Sequence, residues 1–161
     1  MAGKISSLLS PSRIALNVQS TQRTAALHEV AKLLADHPAV TNFDGFYREL
    51  LARDRLETTC IGHAVSLPHA RTEHVKSIAV AVGRSDAFIR CGESADEQVR
   101  LIFMLGTPKT NPADYLAIVS ALCKLLKHES NRTAFLTAAT PEEFIAAVAA
   151  AEDRMLVTTP V

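Results

Sequence analysis

The sequence predicts an α/β fold in which a mixed β-sheet is flanked by helices on both sides. Three observations predict it. Apolar residues recur at helical spacing in the first and last thirds of the chain. The middle third carries short extended runs rich in β-branched residues. The most apolar of these, "QVRLIFMLG" at 98–106, is nearly continuous, as suits a strand covered on both faces. Helices precede and follow the strands, so a layer is expected on each side of the sheet.

The elements follow in order. "RIALNV" at 13–18 partly alternates and reads as a first strand. "STQRTAALHEVAKLLADH" reads as a helix capped by Ser20 or Thr21, with Ala26, Leu27, Val30, Leu33 and Leu34 as its apolar stripe and Pro38 as its stop. A second helix opens at "TNFD", where Thr41 and Asp44 have capping-box spacing. Phe43, Phe46, Tyr47, Leu50 and Leu51 form its buried face, and it ends near Arg53 to Arg55.

"CIGHAVSLPH" holds a turn at Gly62 and a short strand, and "KSIAVAVGRS" is a strand. "RCGESADE" is a polar turn before the apolar strand. Three helices close the chain. The first has Asn111 as cap and Pro112 at its first position. "SNRTAFLTA" is short, and the last has Thr140 as cap with Glu142 and Glu143 near its positive end. The tail "VTTPV" is expected to be loose. Residues 1–161 read as one domain with a core over about 5–155.

Composition excludes several classes. Lys+Arg and Asp+Glu are both 17, which argues against a nucleic-acid binder held by a basic footprint and against a charge-driven membrane-surface protein. The N-terminus "MAGKISSLLSPSR" has no sustained apolar segment of signal-peptide length, and no run reaches the roughly 18 apolar residues of a membrane span. The three cysteines, Cys60, Cys91 and Cys123, are too few and scattered for a disulfide framework. Free thiols and a cytoplasmic location are expected.

Chemistry concentrates at "VSLPHART". Pro68 has no N–H for a sheet ladder and biases Leu67 to an extended conformation. His69 is then the first residue past the strand, on the same face as Val65 and Leu67 if the strand is regular. In open α/β sheets ligands gather at such strand ends. A lone histidine there is otherwise a rim residue bonded to a carbonyl.

The wider stretch "LLARDRLETTCIGHAVSLPHAR" resembles the active-site region of the enzyme IIA components of the bacterial sugar phosphotransferase system, in the mannitol/fructose and nitrogen-regulatory family. The matching residues are Arg53 and Asp54, then Thr59, Ile61 and Gly62, then Val65, Leu67, Pro68 and His69. The resemblance implies the mannitol/fructose enzyme IIA fold and no cofactor. It implies that His69 accepts a phosphoryl group from a phosphorylated HPr-type carrier, then passes it to an enzyme IIB or acts as a regulatory signal. The standalone length favours the nitrogen-regulatory branch.

An unperturbed imidazole has a pKa of about 6.5, so a neutral nucleophilic fraction exists near pH 7. A guanidinium pairs with the equatorial oxygens of a transferring phosphoryl group, and Arg53 is the candidate. Alternatively it complements its helix dipole. Thr59, Ile61, Gly62, His63, Leu67 and Pro68 are the expected substrate- or partner-binding residues.

The match departs from the family at three places. Cys60 and Ala64 stand where glycines are common, and His63 where a small polar residue is. Tyr115 holds the position of the family's second histidine. Its hydroxyl can donate to a phosphoryl oxygen but cannot supply an imidazolium charge. Two rival readings remain: a protein-binding module that has lost phosphotransfer, and a metal site of Cys60, His63, His69 and His74.

Overall fold

The protein is described here by a computed structural model covering residues 4–57, 59–90 and 98–158. In chain order its helices are α1 (Ile5–Leu8), α2 (Arg23–Ala31), α3 (Phe43–Leu56), α4 (Pro112–Lys127), α5 (Glu129–Thr137) and α6 (Pro141–Thr158). Its strands are β1 (Ile14–Ala15), β2 (Cys60–Gly62), β3 (Val65–Ser66), β4 (His69–Arg71), β5 (Ala79–Arg90) and β6 (Gln98–Thr107).

The long strands β5 and β6 pair antiparallel and form the middle of the sheet. β1 adds to β5 in parallel, while β3 and β4 both add in parallel to β6. β2 closes the far edge against β3, so the order is β1-β5-β6-β3-β2 with β4 also on β6. The sheet is mixed, as expected.

Strand alternation sends side chains to two cores. Val80, Val82, Leu101, Phe103 and Leu105 pack with α1, α4, α5 and α6. Ala79, Ala81, Ile102 and Met104 pack with α2 and α3. Both faces are covered, which explains why β6 reads as continuously apolar rather than alternating. Phe103, Phe135 and Phe144 meet at the centre of the first core, with ring centroids 5.5 to 6.3 Å apart.

Gly83 marks where α2 comes closest to the sheet. A Cβ there would run into the Cγ2 of buried Val30. Val30 is β-branched and stiff, so the helix itself would have to move. Gly83→Ala is therefore expected to lower stability by about 1–3 kcal/mol, read as a shift in the urea midpoint. An unchanged midpoint would mean that α2 yields freely.

Helix starts differ from expectation in instructive ways. Glu29 accepts from the backbone N–H groups of Gln19 and Ser20, at 3.1 and 2.8 Å, and holds that segment extended. α2 therefore begins later, with Gln22 rather than Ser20 or Thr21 as its cap. Asn42, not a Thr41–Asp44 box, caps α3 by accepting from Gly45 N at 3.0 Å. Thr41 is drawn away, donating its hydroxyl to the His74 carbonyl at 2.9 Å.

Asn111 precedes α4 in a left-handed conformation and donates its amide to Asp114 instead of capping the backbone. Thr140 caps α6 as expected: it accepts from Glu143 N at 3.1 Å, and Glu143 accepts from Ala139 N at 2.9 Å. α6 runs to Thr158, past the point where a loose tail was expected; 159–161 lie outside the described residues.

Three further expectations change. The first strand is only two residues long, although Val18 N still donates to Arg84 O at 2.8 Å. Cys60 is disulfide-bonded, so free thiols no longer hold for the whole set. Cys123 is free but exposed rather than buried, because it sits one residue round the helix from buried Leu122. The polar turn and Cys91 lie outside the described residues.

Candidate functional site

The site grows out of a break in one edge of the sheet. β3 ends at Ser66, Leu67 is buried, and Pro68 interrupts donation to the ladder. Pro68 still accepts from Leu105 N at 3.0 Å, and pairing resumes at once with His69 opposite Leu105. His69 is thus the first residue of β4 rather than the first residue beyond the strands. Ala70 is buried on the α3 side, which turns His69 and Arg71 together to the opposite side.

The His69 ring is half-buried, and its Nδ1 lies 2.9 Å from the carbonyl oxygen of Leu67. A carbonyl oxygen only accepts, so Nδ1 carries the proton and Nε2 carries the lone pair. The extended backbone imposed on Leu67 by Pro68 is what presents that carbonyl.

α3 supplies the opposite wall. Phe46, Leu50 and Asp54 recur every fourth residue on its buried face. Glu49, Ala52, Arg53 and Leu56 fall on the adjacent face. With His69, Ala70, Arg71 and Tyr115 of α4, they line an open cleft of about 440 Å³. The Tyr115 ring leans on His69 with centroids 5.5 Å apart, and Arg71 Cζ lies 5.6 Å from the same ring centroid.

Arg53 lines this cleft, as expected, and also donates from Nη1 to the Glu57 carbonyl at 3.0 Å. Its neighbour Asp54 faces inward to a residue the sequence did not single out. Arg23 grips Asp54 with two hydrogen bonds of 2.9 and 2.5 Å, and also reaches Ser66 Oγ at 3.3 Å and Cys60 Sγ at 3.7 Å. One guanidinium thereby ties the end of α3 to α2 and to the strands leading into His69.

The other expected residues fall elsewhere. Ile61, Gly62 and His63 are exposed at the β2–β3 turn, and none lines the cleft. Gly62, His63 and Ala64 all have positive φ, of 84°, 55° and 63°. Backbone strain is therefore stored in this turn, where glycine was expected at position 64. Thr59 accepts from Leu67 N at 2.8 Å, while its hydroxyl is buried without a partner.

Among the described residues, no group of three or more His, Cys, Asp and Glu side chains converges as a metal site. The Cys60 sulfur is committed to its disulfide, and His74 lies 3.5 Å from Glu49.

Two site residues were missed in the sequence. Arg71 could have been found from its position two after His69, the spacing of one strand face. Arg23 left no local signal, since it stands 31 residues from Asp54.

An imidazole and two guanidinium side chains thus line one cleft at the edge of a helix-covered mixed sheet, a combination chemically suited to an anionic group. Comparison with known proteins agrees. Residues 7–151 match the family model "Phosphoenolpyruvate-dependent sugar phosphotransferase system, EIIA 2", and the chain belongs to that family. The chain is 32% identical over 125 residues to the fructose-specific EIIA component of Haloferax volcanii, covering 78% of this chain and 81% of that protein. It is 24% identical over 139 residues to a nitrogen regulatory protein of Pseudomonas aeruginosa, covering 86% and 90%. The crystal structure of the nitrogen regulatory protein IIA-Ntr from Neisseria meningitidis superposes with a TM-score of 0.82 at 26% identity, over 89% of this chain and 98% of that one. No described helix is long and apolar enough to cross a membrane.

Proposed function

We propose that the chain is a histidine phosphocarrier of the phosphotransferase system, of the nitrogen-regulatory EIIA type, acting as one unit along its length. It works in the cytoplasm, where phosphoenolpyruvate, the system's phosphoryl source, is generated. The observation that carries this reading is the Leu67 carbonyl bonded to Nδ1 of His69, which leaves the Nε2 lone pair for the cleft.

In the forward step, Nε2 of His69 attacks the phosphorus of a phosphohistidine on an HPr-type carrier. The new N–P bond forms as the carrier's N–P bond breaks, and that electron pair returns to the carrier's imidazole, which carries a proton on its other nitrogen and leaves neutral. His69 becomes a phosphorylated imidazolium. Its Nδ1–H now makes a charge-assisted bond to Leu67 O, which favours the product. Arg53 pairs with the phosphoryl oxygens as charge spreads over them. The Tyr115 hydroxyl donates to one of them.

No cofactor or metal enters. Leu67 and Pro68 hold His69, and Thr59 braces Leu67. Exposed Ile61, Gly62 and His63 meet the partner, with Leu56 and Leu116 as apolar contact; these two are 85% and 61% exposed. After transfer, the phosphorylation state serves as the signal to regulatory targets.

Likeness to a fructose-specific EIIA component supports a second reading, in which His69 passes the group to an enzyme IIB. One assay separates the readings. The chain is mixed with phosphoenolpyruvate, enzyme I and an HPr-type carrier, and intact mass is followed with and without a IIB partner. A stable, acid-labile single-phosphoryl adduct supports the regulatory carrier. Its discharge onto IIB supports the sugar-specific one. No adduct, with the carrier competent on another acceptor, leaves a regulatory protein-binding module on this fold.

A further inference from the structure

We propose that Arg71, seated over the Tyr115 ring, is a second phosphoryl-binding cation of the cleft and that Tyr115 is its platform. The inference deepens the phosphocarrier reading and rests on it only for the identity of the phosphoryl donor.

Four observations converge. His69 and Arg71 are two apart on β4, about 7 Å along the strand, and project to the same side. That span is within reach of an arginine side chain. A single ring touches both: Tyr115 lies 5.5 Å from the His69 ring and 5.6 Å from Arg71 Cζ. A guanidinium over an aromatic face is both attracted to it and orientationally restrained.

The donation from Arg71 Nη2 to Lys109 O, 3.2 Å long, uses one of its five N–H groups. That contact anchors the guanidinium without exhausting its donors.

Charge supplies the fourth argument. A bound phosphoryl group carries close to two negative charges near neutral pH. The charged side chains lining the cleft are Arg53, Arg71 and Glu49. Glu49 is held at the rim by the Thr72 hydroxyl and lies 3.5 Å from His74. Without Arg71, Arg53 and Glu49 cancel, and the dianion would enter a cleft of no net charge. With it, the lining is cationic. Tyr115 is neutral, so its contribution to charge is made through the arginine it positions.

The test uses two readouts on the whole chain. Inorganic phosphate is titrated while the His69 and Tyr115 ring signals are followed by NMR. Initial rates of phosphoryl transfer from the phosphorylated HPr-type carrier are measured in parallel. Arg71→Gln is expected to weaken phosphate binding by about tenfold or more, the scale of one charge-assisted hydrogen bond, and to slow transfer. Arg71→Lys keeps the charge and recovers part of both. Tyr115→Phe retains the platform and most of the binding, whereas Tyr115→Leu approaches Arg71→Gln.

Arg71→Gln that is folded by circular dichroism, yet binds phosphate and accepts the phosphoryl group like the unaltered chain, overturns the proposal. Equal losses in Tyr115→Phe and Tyr115→Leu overturn the platform. Arg71-dependent phosphate binding without transfer sinks the phosphocarrier reading and leaves the anion site standing. Absence of both binding and transfer in the unaltered chain overturns both.

Discussion

His69→Ala is expected to abolish the phosphoryl adduct completely while leaving the fold intact. The side chain is half-buried at the mouth of a cleft, and the backbone pairing of β4 with β6 does not need the imidazole. What is lost is the only nitrogen nucleophile lining that cleft among the described residues. A residual adduct in the variant would place the acceptor elsewhere and remove the functional reading. The bond position is equally checkable. Leu67 O holds the Nδ1 proton, so the phosphoryl group is expected on Nε2, read from nitrogen–phosphorus couplings in the NMR spectrum of the adduct. A group found on Nδ1 would mean that the Leu67 contact breaks before reaction.

Asp54→Ala is expected to have the largest effect on stability, a loss of about 3 kcal/mol. Removing one partner of a buried ion pair costs about 3–5 kcal/mol, because the remaining charge stays desolvated. The lower end applies because Arg23 keeps its contacts with Ser66 and Cys60. Side-chain exposures of 14% for Arg23 and 9% for Asp54 place the pair among buried bridges rather than surface ones, which are worth far less. The measurement is urea denaturation of the two chains. Transfer should also slow, since Arg53 rides on the same helical turn and moves when that turn is released. A loss below about 1 kcal/mol would show that Arg23 finds another partner at little cost.

Much of the fold was legible because it is written in local periodicity. α4 and α6 show their period over many residues, with Pro112 and Thr140 marking their starts, and β5 and β6 are long apolar runs. Short elements were not legible. α1 is four residues long and is fastened by Glu152, which accepts from Ile5 N and Ser6 N at 2.7 and 2.9 Å from the far end of the chain. Nothing within four residues announces that. The caps of α2 and α3 were misread for a related reason. Ser20, Thr21 and Thr41 are good caps by type, but their segments are engaged by Glu29 and by the His74 carbonyl.

The candidate site divides in the same way. The Pro-His junction, the Arg53–Asp54 pair and the Gly62 turn are contiguous in sequence, so their spacing and family resemblance could be read directly. Arg23 could not be: it stands 31 residues from Asp54 and meets that carboxylate, Ser66 and Cys60 only in the folded chain. Long polar side chains reach across the fold, and their partners are chosen by proximity in space.

The sequence by itself determined the layer architecture and singled out the sheet edge and the histidine on which the proposed chemistry rests. Hydrophobic period and the missing N–H of Pro68 are local properties of the chain, independent of its tertiary contacts. Only the tertiary structure decided which nitrogen of His69 meets the Leu67 carbonyl, that Arg53 lines the cleft while Asp54 is buried against Arg23, and that the Tyr115 ring lies next to both His69 and Arg71. Those outcomes depend on the order in which strands join β6 and on how α3 and α4 are rotated against the sheet. Rotation of a packed helix is set by all its contacts together, so no short window of residues encodes it.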